Sequence, residues 1–150
     1  MSPALTRVDV VVANVVDLAR SSTGLHVEDG PALRELPLEA VIVGMPPDAR
    51  TPGYETRLVE QSGLGRPRYV EEFTVWAWIT VTSGDTDLAT LRTRAAGFLR
   101  TFDEALRDSH VLPGVWDRAR LGERAEWSVL QHERGATCNV FFAVTGSGLL

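Results

Sequence analysis

Three histidines, one cysteine and two sets of closely spaced carboxylates are the side chains of this chain whose types could do chemistry. His26, with Glu28 and Asp29 close behind it, offers donors that a divalent metal accepts, but no second His or Cys stands at ligand spacing. The segment is expected to be a polar surface loop, and no metal is assigned to it. His110 directly follows Ser109, and adjacency in sequence does not make a nucleophile–base pair. Its expected place is the end of a helix, where a positive group suits the C-terminal dipole. His132 receives no role. Cys138 lies in an alternating apolar stretch, which implies a buried structural thiol; a nucleophile needs an accessible, electropositive setting. Glu71 and Glu72 are neighbours in a stretch that reads as strand, so they point to opposite faces and cannot share acid–base work. Asp85 and Asp87 stand where a helix should begin, and negative charge there is favourable for structural reasons. No Walker loop is present and no glycine-rich fingerprint follows a strand. Gly146-Ser147-Gly148 comes at the C-terminal end, where a frayed tail is expected. No catalytic residue and no cofactor follow from these patterns, and the chain is expected not to be an enzyme.

Composition narrows the classes further. The chain has 150 residues, 15 basic and 20 acidic, with a net charge of -5, and every basic residue is arginine. That length predicts one domain, spanning 1–150, and a chain of this size buries about 68–70% of its unfolded surface. One cysteine excludes a disulfide scaffold, and 44% hydrophobic with 23% charged residues excludes a disordered chain. The acidic balance argues against binding nucleic acid by phosphate neutralisation. The absence of lysine is ascribed mainly to the codon bias of a GC-rich genome. The longest apolar stretch, residues 8–16, is interrupted by Asp9 and Asn14 and is far below the roughly 20 residues of a membrane span. No membrane association is expected, and assembly in a cytoplasm is.

The elements that must position any site follow from hydrophobic period. Ser2-Pro3 is a helix start, and Leu5, Val8, Val11, Val12, Val15, Leu18 and Ala19 fall on one helical face. That helix should stop between Ser21 and Gly24. Residues 38–45 form a short apolar run closed by Pro46-Pro47, which predicts a buried strand. Residues 46–67 are expected to be a flexible loop or arm, with weak strand character from Tyr54 to Leu64. Residues 69–82 alternate: Phe73, Val75, Ala77, Ile79 and Val81 on one face, Glu72, Thr74, Trp76, Trp78, Thr80 and Thr82 on the other. The turn Ser83-Gly84-Asp85-Thr86 should cap a second helix, whose face is Leu88, Leu91, Ala95, Phe98, Leu99, Phe102, Ala105 and Leu106. Three strands are predicted after it, at 115–121, 125–133 and 136–145, with a tight hairpin at Arg134-Gly135. The last of them carries Ala136, Cys138, Val140, Phe142 and Val144 on one face.

This order implies an α+β fold: a mixed or antiparallel sheet with two amphipathic helices packed on one face. Both helices are then used, and the sheet face that carries Trp76 and Trp78 has none left to cover it. Glu72, Thr74, Trp76 and Trp78 are therefore candidates for an interface with another chain, as are Arg50, Arg57, Arg66 and Arg68 on the 46–67 arm. The alternatives are that the tryptophans pack under the 46–67 segment and that the arm is a solvated loop.

The layout also resembles a known family. The carrying features are Gly44-Met45-Pro46-Pro47 closing the early strand, Glu71-Glu72-Phe73-Thr74-Val75 running to Val81-Thr82-Ser83-Gly84-Asp85, and a helix with Leu91-Arg92-Thr93-Arg94-Ala95-Ala96 and Phe102-Asp103-Glu104-Ala105-Leu106. Leu112-Pro113-Gly114-Val115 and Arg134-Gly135-Ala136 complete it. In order and pattern, over nearly the whole chain, this resembles the tail terminator (tail completion) proteins of long-tailed phages and prophages. The resemblance implies a homo-oligomer, a hexameric ring, that caps and terminates the tail tube and joins it to the head. Its partners would be the tail tube protein and a head-closure or connector protein, in the tail and neck of a virion. DNA would pass through without sequence-specific binding, and the acidic balance suits such a conduit. Two alternatives stand beside it: another neck protein, such as a head-closure or head–tail connector subunit, and a small-ligand-binding α+β domain whose cavity lies against Trp76 and Trp78 or the Phe98/Phe102 helix face.

Overall fold

The computed structural model of the chain describes residues 6–31, 35–61, 65, 67–84 and 87–150. The expected Ser2-Pro3 helix start, Leu5, Arg66 and Asp85 lie outside the described residues. The elements are α1 (Val8–Thr23), β1 (His26–Asp29), β2 (Glu39–Val43), β3 (Tyr54–Gln61), β4 (Arg68–Ser83), α2 (Leu88–Asp108), β5 (Arg118–His132) and β6 (Gly135–Leu149). The strands form one mixed sheet in the order β1-β2-β4-β6-β5, with β3 also paired to β4. Only β1 and β2 run parallel; every other pair is antiparallel. This is the α+β architecture that the periodicities predict.

Both helices pack on one face of the sheet. α1 buries Val11, Val12, Val15, Val16 and Ala19, and α2 buries Leu91, Ala95, Phe102 and Leu106. Valine disfavours a helix slightly, yet the three- and four-residue spacing lets α1 bury one continuous stripe, and burial outweighs propensity. Its first turn is held from the sheet: the Arg7 backbone N–H donates to Glu71 Oε1 on β4 at 2.7 Å. α2 begins at Asp87, whose carboxylate accepts from the Thr90 backbone N–H at 3.2 Å and from the Thr90 hydroxyl at 2.6 Å. The alternate residues Phe73 to Val81 of β4 and Ala136 to Val144 of β6 face the helices, as their spacing predicts, and all are buried in one core. Phe102 meets Phe142 there, with ring centroids 5.5 Å apart.

Four expectations are corrected. His26, Glu28 and Asp29 belong to strand β1, not to a loop: Val27 is buried under α1, and β2 supplies a parallel partner for a stretch too short and polar to read as strand alone. The 46–67 segment is not simply a loop, because residues 54–61 pair along their whole length with residues 68–75 of β4. The segments expected as strands 115–121 and 125–133 are largely one strand, β5, whose register shifts between Leu121 and Ala125. Residues 112–116 before it form a tight turn closed by the Leu112–Trp116 bridge. Gly146-Ser147-Gly148 is not frayed: it pairs with β4 on one side, and Gly146 and Ser147 also pair with β5 on the other. A Cβ on Gly146 would overlap the Arg118 carbonyl and the Phe73 ring, so glycine is what lets three strands and the core meet there.

β4 has two successive partners on one side. Its residues 77–81 pair with β2 and its residues 68–75 with β3. The exchange falls at Trp76, whose carbonyl accepts from the Gly44 N–H at 2.7 Å and whose N–H donates to the Gly53 carbonyl at 2.8 Å. β2 and β3 thus form one interrupted strand from which residues 45–52 loop out. The neck is tight: Gly44 has φ 90°, and a Cβ on Gly53 would overlap the Gly44 carbonyl.

Candidate assembly surface

The sheet face away from the helices is built from cross-strand rows. One row runs Arg57, Glu72, Ser147, Arg118 across β3, β4, β6 and β5; the next runs Glu55, Thr74, Thr145, Arg120. Opposed residues share a face in an antiparallel ladder, so these eight side chains form one polar half of the surface. A groove of ≈ 720 Å³ lies here, lined by Arg57, Glu72, Thr74, Arg118 and Arg120, with His110 at one wall. His110 sits at the end of α2, where its Nδ1 lies 2.7 Å from the Arg107 carbonyl, which is the helix-end position expected for it.

The other half of the face is apolar and closed by the chain itself. Trp76 is only 8% exposed, with the Arg124 guanidinium 5.9 Å above its ring. Arg124 reaches it because the register shift in β5 turns residues 122–124 back over the sheet. Trp78 is half-buried; it stacks on Phe141 at 5.7 Å, and its Nε1 donates to Asn139 Oδ1 at 2.9 Å. Trp76 is thus covered largely by its own chain.

The structure brings together Glu72, Thr74 and Arg57, and sets Trp76 and Trp78 in the adjoining apolar half. Arg50 and Arg68 stand apart, both exposed: Arg50 in the 45–52 loop and Arg68 at the start of β4, opposite Gln61. The loop is ordered by Asp48, which accepts from the Thr51 hydroxyl and from the Arg50 and Thr51 backbone N–H groups. These bonds, led by the Thr51 hydroxyl, hold the Asp48 carboxyl below its ordinary value, and the charge of Arg124 adds to the effect. Arg118, Arg120 and Arg124 were not singled out by sequence. The alternation of Arg118 and Arg120 with Ala119 and Leu121 is the signal that places both arginines on one face.

Cys138 is fully buried and burial pushes its thiol pKa up, the opposite of an activated nucleophile. His26 Nε2 pairs with Glu28 Oε1 at 2.7 Å along one face of β1. His132 Nε2 lies 3.1 Å from the Thr137 hydroxyl and its Nδ1 accepts from the Arg134 backbone N–H at 3.3 Å, which fastens the β5–β6 turn. Among the described residues, no group of three or more His, Cys, Asp or Glu side chains could hold a metal, and no helix is long and apolar enough to cross a membrane.

No family model matches this chain, and no curated protein matches it. Among solved structures, it is similar to a chain described as "Virion of native gene transfer agent (GTA) particle". The two share 10% identity with a TM-score of 0.58, over 98% of this chain and 100% of that chain. At that identity the likeness is one of fold.

Proposed function

We propose that this chain is a structural subunit of a phage-type particle, and within it a tail terminator: a ring that caps the tail tube and joins it to the head. The observation that carries the reading is the likeness to a gene transfer agent virion chain, which spans essentially the whole of both chains. Two further features support it. The polar half of the sheet face presents the exposed charged side chains of Glu55, Arg57, Glu72, Arg118 and Arg120, a surface suited to contact with other chains. The net charge of -5 also suits a surface past which DNA slides, since like charge repels phosphate. The role is non-enzymatic, with the chain itself, a tail tube protein and a head-closure or connector protein as partners.

The experiment is the native mass of the purified protein across concentration, alone and with assembled tail tube protein, followed by electron microscopy. A hexameric ring, alone or on the end of a tube, is expected. A strict monomer that leaves tubes uncapped removes the tail terminator reading. A second reading has its own support: the neighbour is described by the particle as a whole, so a head-closure or connector subunit fits it equally. Binding to connector rings without binding to tubes would select that reading.

A further inference from the structure

Among the described residues the sheet has three edge strands, β1, β3 and β5, and we propose that two of them are the halves of one interface, in which the β5 edge of one copy pairs antiparallel with the β3 edge of the next. The inference rests on the ring reading and names the contact that would build the ring.

Strand direction permits it. Across the sheet, β3 runs antiparallel to β4, β4 to β6, and β6 to β5, so β5 and β3 point in opposite senses. A second copy placed side by side in the same orientation therefore continues the alternation with a β5–β3 pair. Such a contact is heterologous, the type that a closed ring requires. Both edges are open among the described residues: β3 pairs only with β4, and β5 only with β6. The lower end of β5 is closed, because the Ala119 N–H donates to the His110 carbonyl at 2.9 Å. The free stretch is the part beyond the register shift, from Ala125 onward. Long open edges without proline are templates for pairing unless something covers them.

The side chains match as well. On the helix side of the sheet, Trp127 of β5 is 45% exposed, and Tyr54 and Leu58 of β3 are 50% and 48% exposed. A register that sets Trp127 opposite Thr56 of the neighbour puts the indole diagonally between Tyr54 and Leu58, within cross-strand reach. The same register sets Glu126 opposite Arg57 on the other face. Both of these are exposed, and neither has an ion pair among the described residues. Shape and charge thus agree on one register.

The test is charge reversal, read as assembly midpoint by native mass, with far-UV circular dichroism checking that each variant stays folded. Arg57→Glu and Glu126→Arg should each raise the midpoint concentration by about tenfold or more. The double variant should recover most of that loss. An equimolar mixture of the two single variants should recover as well, because each copy then meets a complementary edge on both sides. Trp127→Ser should weaken assembly of a folded chain. Single reversals that assemble as the wild type, or a double variant and mixture that do not recover, overturn the edge contact while a wild-type ring persists. A wild type that stays monomeric with and without tail tubes overturns both this contact and the ring.

Discussion

Trp76→Ala separates a tryptophan held by its own chain from one that waits for a partner. At 8% exposure, nearly all of the indole is buried inside the monomer. A tryptophan buries roughly 200 Å², and at about 25 cal/mol/Å² this corresponds to about 5 kcal/mol. The unfolded chain is itself partly compact, so that figure is an upper bound, and large-to-small core changes of this kind cost about 3–5 kcal/mol. The control is Trp127→Ala, at 45% exposure, where the same arithmetic gives an upper bound of about 3 kcal/mol, so a clearly smaller loss than at Trp76 is expected. Urea unfolding of the monomer followed by far-UV circular dichroism measures both, with the slope of the transition unchanged if only stability has moved. The reasoning is refuted if Trp76→Ala costs under about 1 kcal/mol, or if both variants lose the same amount. Either result would mean that the 122–124 segment of β5 does not close over Trp76 in solution.

Three further outcomes follow from the same geometry. Gly146→Ala should destabilise the monomer by about 1–3 kcal/mol, since its Cβ meets the Arg118 carbonyl and the Phe73 ring; a wild-type melting temperature would contradict the three-strand junction. The Cys138 thiol should be inert to a thiol reagent in the native protein and react fully in urea, and rapid native reaction would show that the core opens there. Asp87→Asn should lower the melting temperature at neutral pH. The Asp87 carboxyl is lowered from 3.8, chiefly by the Thr90 hydroxyl and backbone N–H, so its stabilisation is complete above that value and is lost as pH falls below it. The gap between variant and wild type should therefore narrow in acid, and a constant gap would show that the charge of the cap is irrelevant.

The elements with strong period were legible in the sequence. α2, the core faces of β4 and β6, and the buried stripe of α1 all follow from three-, four- or two-residue spacing, and burial agrees with each. What was not legible depends on partners distant in sequence. β1 is four polar-rich residues that become strand only because β2 lies beside them. β3 is exposed along nearly all its length and has no apolar face to announce it; β4 supplies its ladder. Gly146-Ser147-Gly148 looked like a tail because glycine in a strand interior is unfavourable in isolation, yet here the crowding of Arg118 and Phe73 requires it. The candidate surface was legible by face but not by extent. Alternation put Glu72 and Thr74 beside Trp76 and Trp78, whereas nothing local shows that Arg57, Arg118 and Arg120 share their rows.

The apolar half of the sheet face changes the argument for an oligomer rather than removing it. With two helices on one side, an uncovered Trp76 and Trp78 would have demanded a second chain on the face. The chain instead closes much of that face itself, through Arg124 over Trp76 and the Trp78–Phe141 stack tied to Asn139. The exposed apolar side chains of the sheet lie instead on edge strands: Tyr54 and Leu58 on β3, and Trp127 and Leu130 on β5, the last 55% exposed. Stacking on a face most simply gives a closed two-fold pair, because the same patch serves both copies. Two different edges at opposite ends of one sheet give a head-to-tail contact, which closes only as a ring or runs on as a filament. The edge contact proposed above is of this second, lateral kind.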